Sequence, residues 1–101
     1  MNIVTFCELD ESLFNSEHNV DYFHSGAANE ADIAILNIDT IFEFEENKGN
    51  VCKDKFVSIA IIDDQSDYEA FKNFGIDGWI KGEDISQINN VVNLAQKRFL
   101  S

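Results

Sequence analysis

Proline does not occur in this chain of 101 residues, and neither an internal repeat nor a low-complexity tract interrupts it. That excludes a proline-rich linker and a solenoid. Cysteine is scarce. Cys7 and Cys52 are the only two, too few for a disulfide scaffold and without the spacing of a metal-ligand set. Positive charge is outnumbered: 7 Lys and Arg stand against 19 Asp and Glu, a formal net charge of −12. Such a surface repels phosphate backbones and anionic lipid, so direct nucleic-acid binding by this domain is not expected, whereas a basic partner is compatible. Long apolar runs are missing too. The longest, FVSIAII at Phe56 to Ile62, falls far short of the ~20 residues that span a bilayer. The opening MNIVTFCELD carries acids where a signal peptide would be apolar. The expectation is a cytoplasmic protein with no membrane contact.

What is present suffices for a core. Hydrophobic residues make up 45% of the chain and nine are Phe, which argues against disorder and for one domain over residues 1–101. Asn2 to Cys7 (NIVTFC), Val20 to His24 (VDYFH), Asp32 to Ile38, Lys55 to Ile62 (KFVSIAII) and Gly78 to Lys81 (GWIK) read as strands. The third and fourth are apolar nearly throughout, the pattern of strands covered on both faces. Between them, Asp10 to Asn15 predicts a turn or two of helix capped by Asp10, and Gly26 to Glu30 a turn. Thr40 to Asn47 predicts a short helix broken at Lys48-Gly49-Asn50. Ser66 with Glu69 forms a capping-box pattern ahead of a helix that Gly75 ends. Asp84 with Gln87 is a second such pattern, opening a helix to about Phe99 whose Ile85, Ile88, Val91, Val92, Ala95 and Phe99 share one face. This alternation predicts an α/β, flavodoxin-like, doubly wound five-stranded parallel sheet in the order 2-1-3-4-5. About 24 residues separate the first strand's end from the third's start, so the early helices must be short.

DIAILNI (Asp32 to Ile38), GIDGWI (Gly75 to Ile80) and the helix from Asp84 onward resemble the receiver domain of bacterial response regulators, and the resemblance covers most of the chain. It implies a site at the carboxyl edge of the sheet. There, two acids after strand one hold Mg²⁺ and an aspartate on strand three accepts a phosphoryl group. A hydroxyl ends strand four and a lysine ends strand five. Matched by position, the acid pair falls on Cys7 and Glu8, and the acceptor on Asn37. Ala60, Ile61, Ile62 and Asp63 bracket the hydroxyl place without offering one, and Lys81 stands for the lysine. An amide oxygen is a poor nucleophile and brings no charge for a metal. The resemblance therefore implies an atypical receiver, active without phosphorylation and needing no cofactor.

In receivers the face made by helix four, strand five and helix five carries dimerisation or effector contact. The resemblance thus assigns Tyr68, Trp79 and Ile88 to an interface with a protein partner or a second copy. The expected role is non-enzymatic: regulating an attached effector, for example a DNA-binding domain, within a longer regulator. Two alternatives stand beside it. Asp39, two residues beyond Asn37 and on the same face if the strand continues, is a displaced phosphoacceptor with Glu8 and Asp10 holding Mg²⁺. Or Cys7, at the functional edge, is a redox sensor. His18 and His24 lack a second ligand at a recognisable spacing, and Glu43, Glu45 and Glu46 read as a solvated face.

Overall fold

Two strands buried on both faces organise the molecule. The computed structural model describes residues 1–26 and 30–100. Its strands are Asn2–Thr5 (β1), Asn19–Tyr22 (β2), Ala31–Asn37 (β3), Cys52–Ile62 (β4) and Gly78–Lys81 (β5). All pair in parallel, in the order β2-β1-β3-β4-β5, so the flavodoxin-like topology expected from the sequence is the one found.

Side-chain alternation along the two central strands builds two cores. Ile33 and Ile35 of β3 join Val57, Ile59 and Ile61 of β4 on one face. Ala34 and Leu36 join Ala60 and Ile62 on the other. The first face is covered by Phe14 and by Ile88, Val92 and Ala95 of the helix Ile88–Ala95 (α3). The second is covered by Ile41, Phe44 and Val51 of Ile41–Val51 (α1) and by Phe71 of Asp67–Asn73 (α2). Aromatic rings fill the second core: Phe6 stacks on Phe23 with centroids 4.8 Å apart and meets Phe44 edge-on at 5.6 Å. Such pairs add to the burial of their area.

The crossovers flanking β2 are as short as the chain length required. Among the described residues, each contains one 3-10 turn, Glu11–Leu13 and Phe23–Ser25. Asp10 caps the first: its Oδ1 accepts from the Ser12 N–H at 2.9 Å, and that bond holds the carboxyl below its ordinary range. The expected turn at Gly26 to Glu30 falls partly on residues 27–29, outside the described residues.

Several local expectations are corrected. α1 runs through Gly49 to Val51 because Ile41, Phe44 and Val51 are all buried, and that burial outweighs one glycine. Cys52 is consequently the first residue of β4 and half-buried. Neither capping box forms. Ser66 already has helical backbone angles (φ −63°, ψ −24°), whereas an N-cap is extended. Asp64 does the work instead, with Oδ1 accepting from Ser66 N–H at 3.1 Å and its own N–H donating to Asp67 Oδ2 at 3.3 Å. Asp84 lies in a 3-10 stretch, Gly82–Gln87, that makes no side-chain cap, and the α-helix begins at Ile88. The last helix loosens into a π-turn over Gln96–Leu100, which leaves Phe99 exposed where the stripe predicted core. Gly75 does end α2, with φ of +71°.

Polar side chains fasten the sheet at two places. Asp32 Oδ2 accepts from Asn2 N–H at 3.0 Å, and its Oδ1 pairs with Lys53 Nζ at 2.9 Å, tying β1, β3 and β4 together at their amino ends. Burial pushes the Asp32 carboxyl up, but the Asn2 N–H and the Lys53 ammonium outweigh it and hold it below its ordinary value. A carboxyl so lowered stabilises the fold above its unfolded pKa, and that contribution fades as pH falls through the folded one. Ser58, buried within β4, is the second place. Its N–H and hydroxyl both donate to Asp77 Oδ2, at 2.9 and 3.1 Å, while Asp77 N–H donates to Ser58 Oγ at 3.1 Å. This three-bond clasp fixes the entry of β5 beside β4.

Asp77→Ala strands the Ser58 hydroxyl and N–H at a buried site, so a loss of about 1–3 kcal/mol is expected. Urea unfolding measures it, and a midpoint unchanged from the parent would show that the clasp carries no stability.

Candidate functional site

The register decides what meets at the carboxyl edge. Thr5 pairs with Ile35, and the ladder continues through the Phe6 N–H to Ile35 O bond at 2.8 Å, so Cys7 follows at the end of β1. Asn37 pairs with Ile61, and Ile62 with Lys81. Asn37 and Lys81 therefore end β3 and β5 at one edge, where Cys7, two residues beyond β1, and Asp63, the residue after β4, also lie. Glu8 is there too, but exposed.

Asn37 is fully engaged as an N-cap. Its Oδ1 accepts from the Thr40 N–H at 3.1 Å and from the Thr40 hydroxyl at 2.9 Å. Its own N–H donates to Thr40 Oγ1 at 3.0 Å. This reciprocal box closes the 3-10 turn Ile38–Thr40 that leads into α1. β3 thus ends at Asn37, and the strand period that put Asp39 on the same face does not reach it. Asp39 is an exposed residue of that turn. Among the described residues, Glu8, Asp10 and Asp39 do not come together as a metal-holding group.

Cys7 is buried in the first core. Burial first, and then the negative charge of Asp63, push its thiol up to about 11, against the pull of a backbone hydrogen bond. A thiol so placed stays protonated at neutral pH, unlike a sensor thiolate. Cys52, also pushed up to about 11 by burial, begins β4 beside the second core, so the two cysteines lie at opposite ends and faces of the sheet and cannot pair.

The interface residues divide. Trp79 and Tyr68 are exposed, at 49% and 40%, and meet edge-to-face with centroids 5.7 Å apart. Trp79 projects from β5 and Tyr68 from α2. Ile88 is a correction: it is fully buried in the first core beneath α3 and offers no surface to a partner. Helical spacing cannot tell a core stripe from a contact stripe, and here the stripe is core. His24 is not isolated either; its Nε2 lies 2.7 Å from Glu43 Oε1.

A cleft of about 690 Å³ opens between the ends of β4 and β5. Asp63, Asp64, Glu83, Lys81, Tyr68 and Trp79 line it. Gly82 forms part of its floor, where a Cβ would collide with Asp63 Oδ1. A smaller hollow of about 190 Å³ adjoins the same two rings. Sequence reasoning placed Asp63, Lys81, Tyr68 and Trp79 separately and missed that they share a wall. It also missed Glu83 and the Ser58–Asp77 clasp that holds β5 in position. No known protein family, curated protein or solved structure matches the chain.

Two outcomes check this geometry. Asn37→Ala removes the cap and is expected to cost about 0.5–2 kcal/mol, while Asn37→Asp, an equally good cap, costs little; thermal unfolding of both variants decides. Native Cys7 is expected to react with a thiol reagent at neutral pH at least about tenfold more slowly than in urea-unfolded chain, because the thiolate is the reactive form. Equal rates would restore the sensor reading.

Proposed function

We propose that this chain is a receiver-like signalling module that works by protein–protein contact and without phosphorylation. The observation that carries the reading is the exposed Trp79–Tyr68 pair. A large aromatic held rigid by a neighbour, beside a cleft, has the properties of an interface anchor: much apolar area for little entropy lost on binding. The 2-1-3-4-5 sheet supports the receiver-like part. Asn37 supports the phosphorylation-independent part, since its amide is committed to Thr40 and is no nucleophile. The contact is with a partner protein or a second copy, through the face that α2, β5 and α3 contribute, and it regulates an attached or separate effector. The role is non-enzymatic and requires no metal or cofactor. The net charge of −12 makes direct binding of nucleic acid unfavourable.

Incubation with acetyl phosphate and excess Mg²⁺, followed by intact-mass measurement, is expected to show no phosphoryl adduct on the parent chain or on Asn37→Asp. An adduct that Asp39→Asn abolishes would transfer the function to the displaced-acceptor alternative. Sedimentation at high micromolar concentration tests the self-contact: Trp79→Ala is expected to weaken any dimer by about tenfold or more, the ordinary effect of truncating an aromatic anchor.

A further inference from the structure

We infer that the cleft between the ends of β4 and β5 receives an arginine side chain from a basic segment of a partner protein. The inference rests on the contact reading above and names the chemistry of the contact. Its walls combine two features that recognise the same group. Tyr68 and Trp79 supply aromatic rings, whose faces attract a cation and stack on a planar guanidinium. Asp63, Asp64 and Glu83 supply carboxylates, against the one ammonium of Lys81, so the lining is negative by two charges. Lys81 forms no ion pair with these acids, which leaves Asp63 and Glu83 without a cationic partner among the described residues.

Charge decides between candidate occupants. A phosphate or other anion would face three carboxylates and gain one lysine, whereas a cation gains at least two carboxylates and two rings. Asp64 is partly committed to the Ser66 N–H, so Asp63 and Glu83 are the carboxylates free to turn toward a ligand. The volume, about 690 Å³, holds an arginine side chain with neighbouring backbone. A macromolecular source is favoured over a free small cation because the whole surface is acidic, with a net charge of −12, and steers an extended basic chain toward the cleft.

Trp79 is the sole tryptophan, so its emission reports the cleft directly. The probe is a nine-residue peptide alternating arginine and glycine, with a citrulline-for-arginine peptide, a glutamate peptide and free arginine amide as comparisons. The arginine peptide is expected to change Trp79 emission saturably and the citrulline peptide not to. Asp63→Asn with Glu83→Gln is expected to weaken binding by about fivefold or more, the range of two solvent-facing ion pairs. Glu46→Gln with Asp54→Asn, which removes the same charge elsewhere on the surface, is expected to leave it within about twofold, as screening over that distance allows. Lys81→Gln is expected to tighten it. Trp79→Leu, followed by calorimetry, is expected to weaken it by about twofold to fivefold, as loss of an exposed cation–π contact does. Equal binding of the citrulline peptide, equal loss in both charge pairs, or weakening by Lys81→Gln would overturn the inference. Free arginine amide binding as tightly as the peptide would also overturn it, in favour of a small-molecule site. These failures leave the contact reading standing if no phosphoryl adduct forms and Trp79→Ala still disrupts association. A phosphoryl adduct sinks that reading whatever the peptide does.

Discussion

The parallel ladder between β3 and β4 is the constraint on which the remaining structure depends. Ile33 pairs with Val57, Ala34 with Ser58, Ile35 with Ile59 and Leu36 with Ala60. Every one of these eight residues is buried. Because consecutive side chains point to opposite faces, this one ladder supplies the floor of both cores. A slip by a single residue would exchange the bulky Ile33 and Ile35 row with the Ala34 and Leu36 row, overfilling one side and emptying the other. The register is therefore strongly specified. With it comes the alignment of Cys7, Asn37, Asp63 and Lys81 at the carboxyl edge.

That edge is occupied by groups serving structure. Asn37 closes a turn and Cys7 fills a core, while the buried Ser58 lies farther back in β4 and is held by Asp77 where β5 begins. At the β4–β5 end a cleft opens, and it brings the exposed Tyr68 and Trp79 beside Asp63 and Glu83. The Asn37 amide, half-buried and bonded to Thr40, serves this edge as a structural cap.

Much of this was legible in the amino-acid order. The nearly continuous apolar runs DIAILNI and KFVSIAII identified the two doubly covered strands, and the short gap before β3 announced short early helices, where the structure has 3-10 turns. The boundaries of β5 were read correctly from GWIK alone. Failures came where one pattern has two physical outcomes. Ser66 and Asp84 carry the spacing of capping boxes, but the neighbouring Asp64 and Gly82–Gln87 backbone already provide other geometry. Ile88 obeys helical periodicity in core and interface alike, and only burial separates them. The clasp of Ser58 by Asp77 spans 19 positions and has no local signature. The cleft is likewise a product of tertiary proximity, since Asp63 and Glu83 come from separate strand ends.

Gly82 carries a consequence of its own. A Cβ there would strike Asp63 Oδ1, so the carboxylate occupies the space that a side chain at this position would need. The absent methyl group lets an acid of one strand rest over the next, giving the depression a charged floor. The contour and polarity of this recess are thus governed jointly by the smallest residue in the chain, which has neither charge nor polar side chain. Enlarging it would act as a steric wedge, lifting the acid toward solvent without altering the electrical balance of the protein.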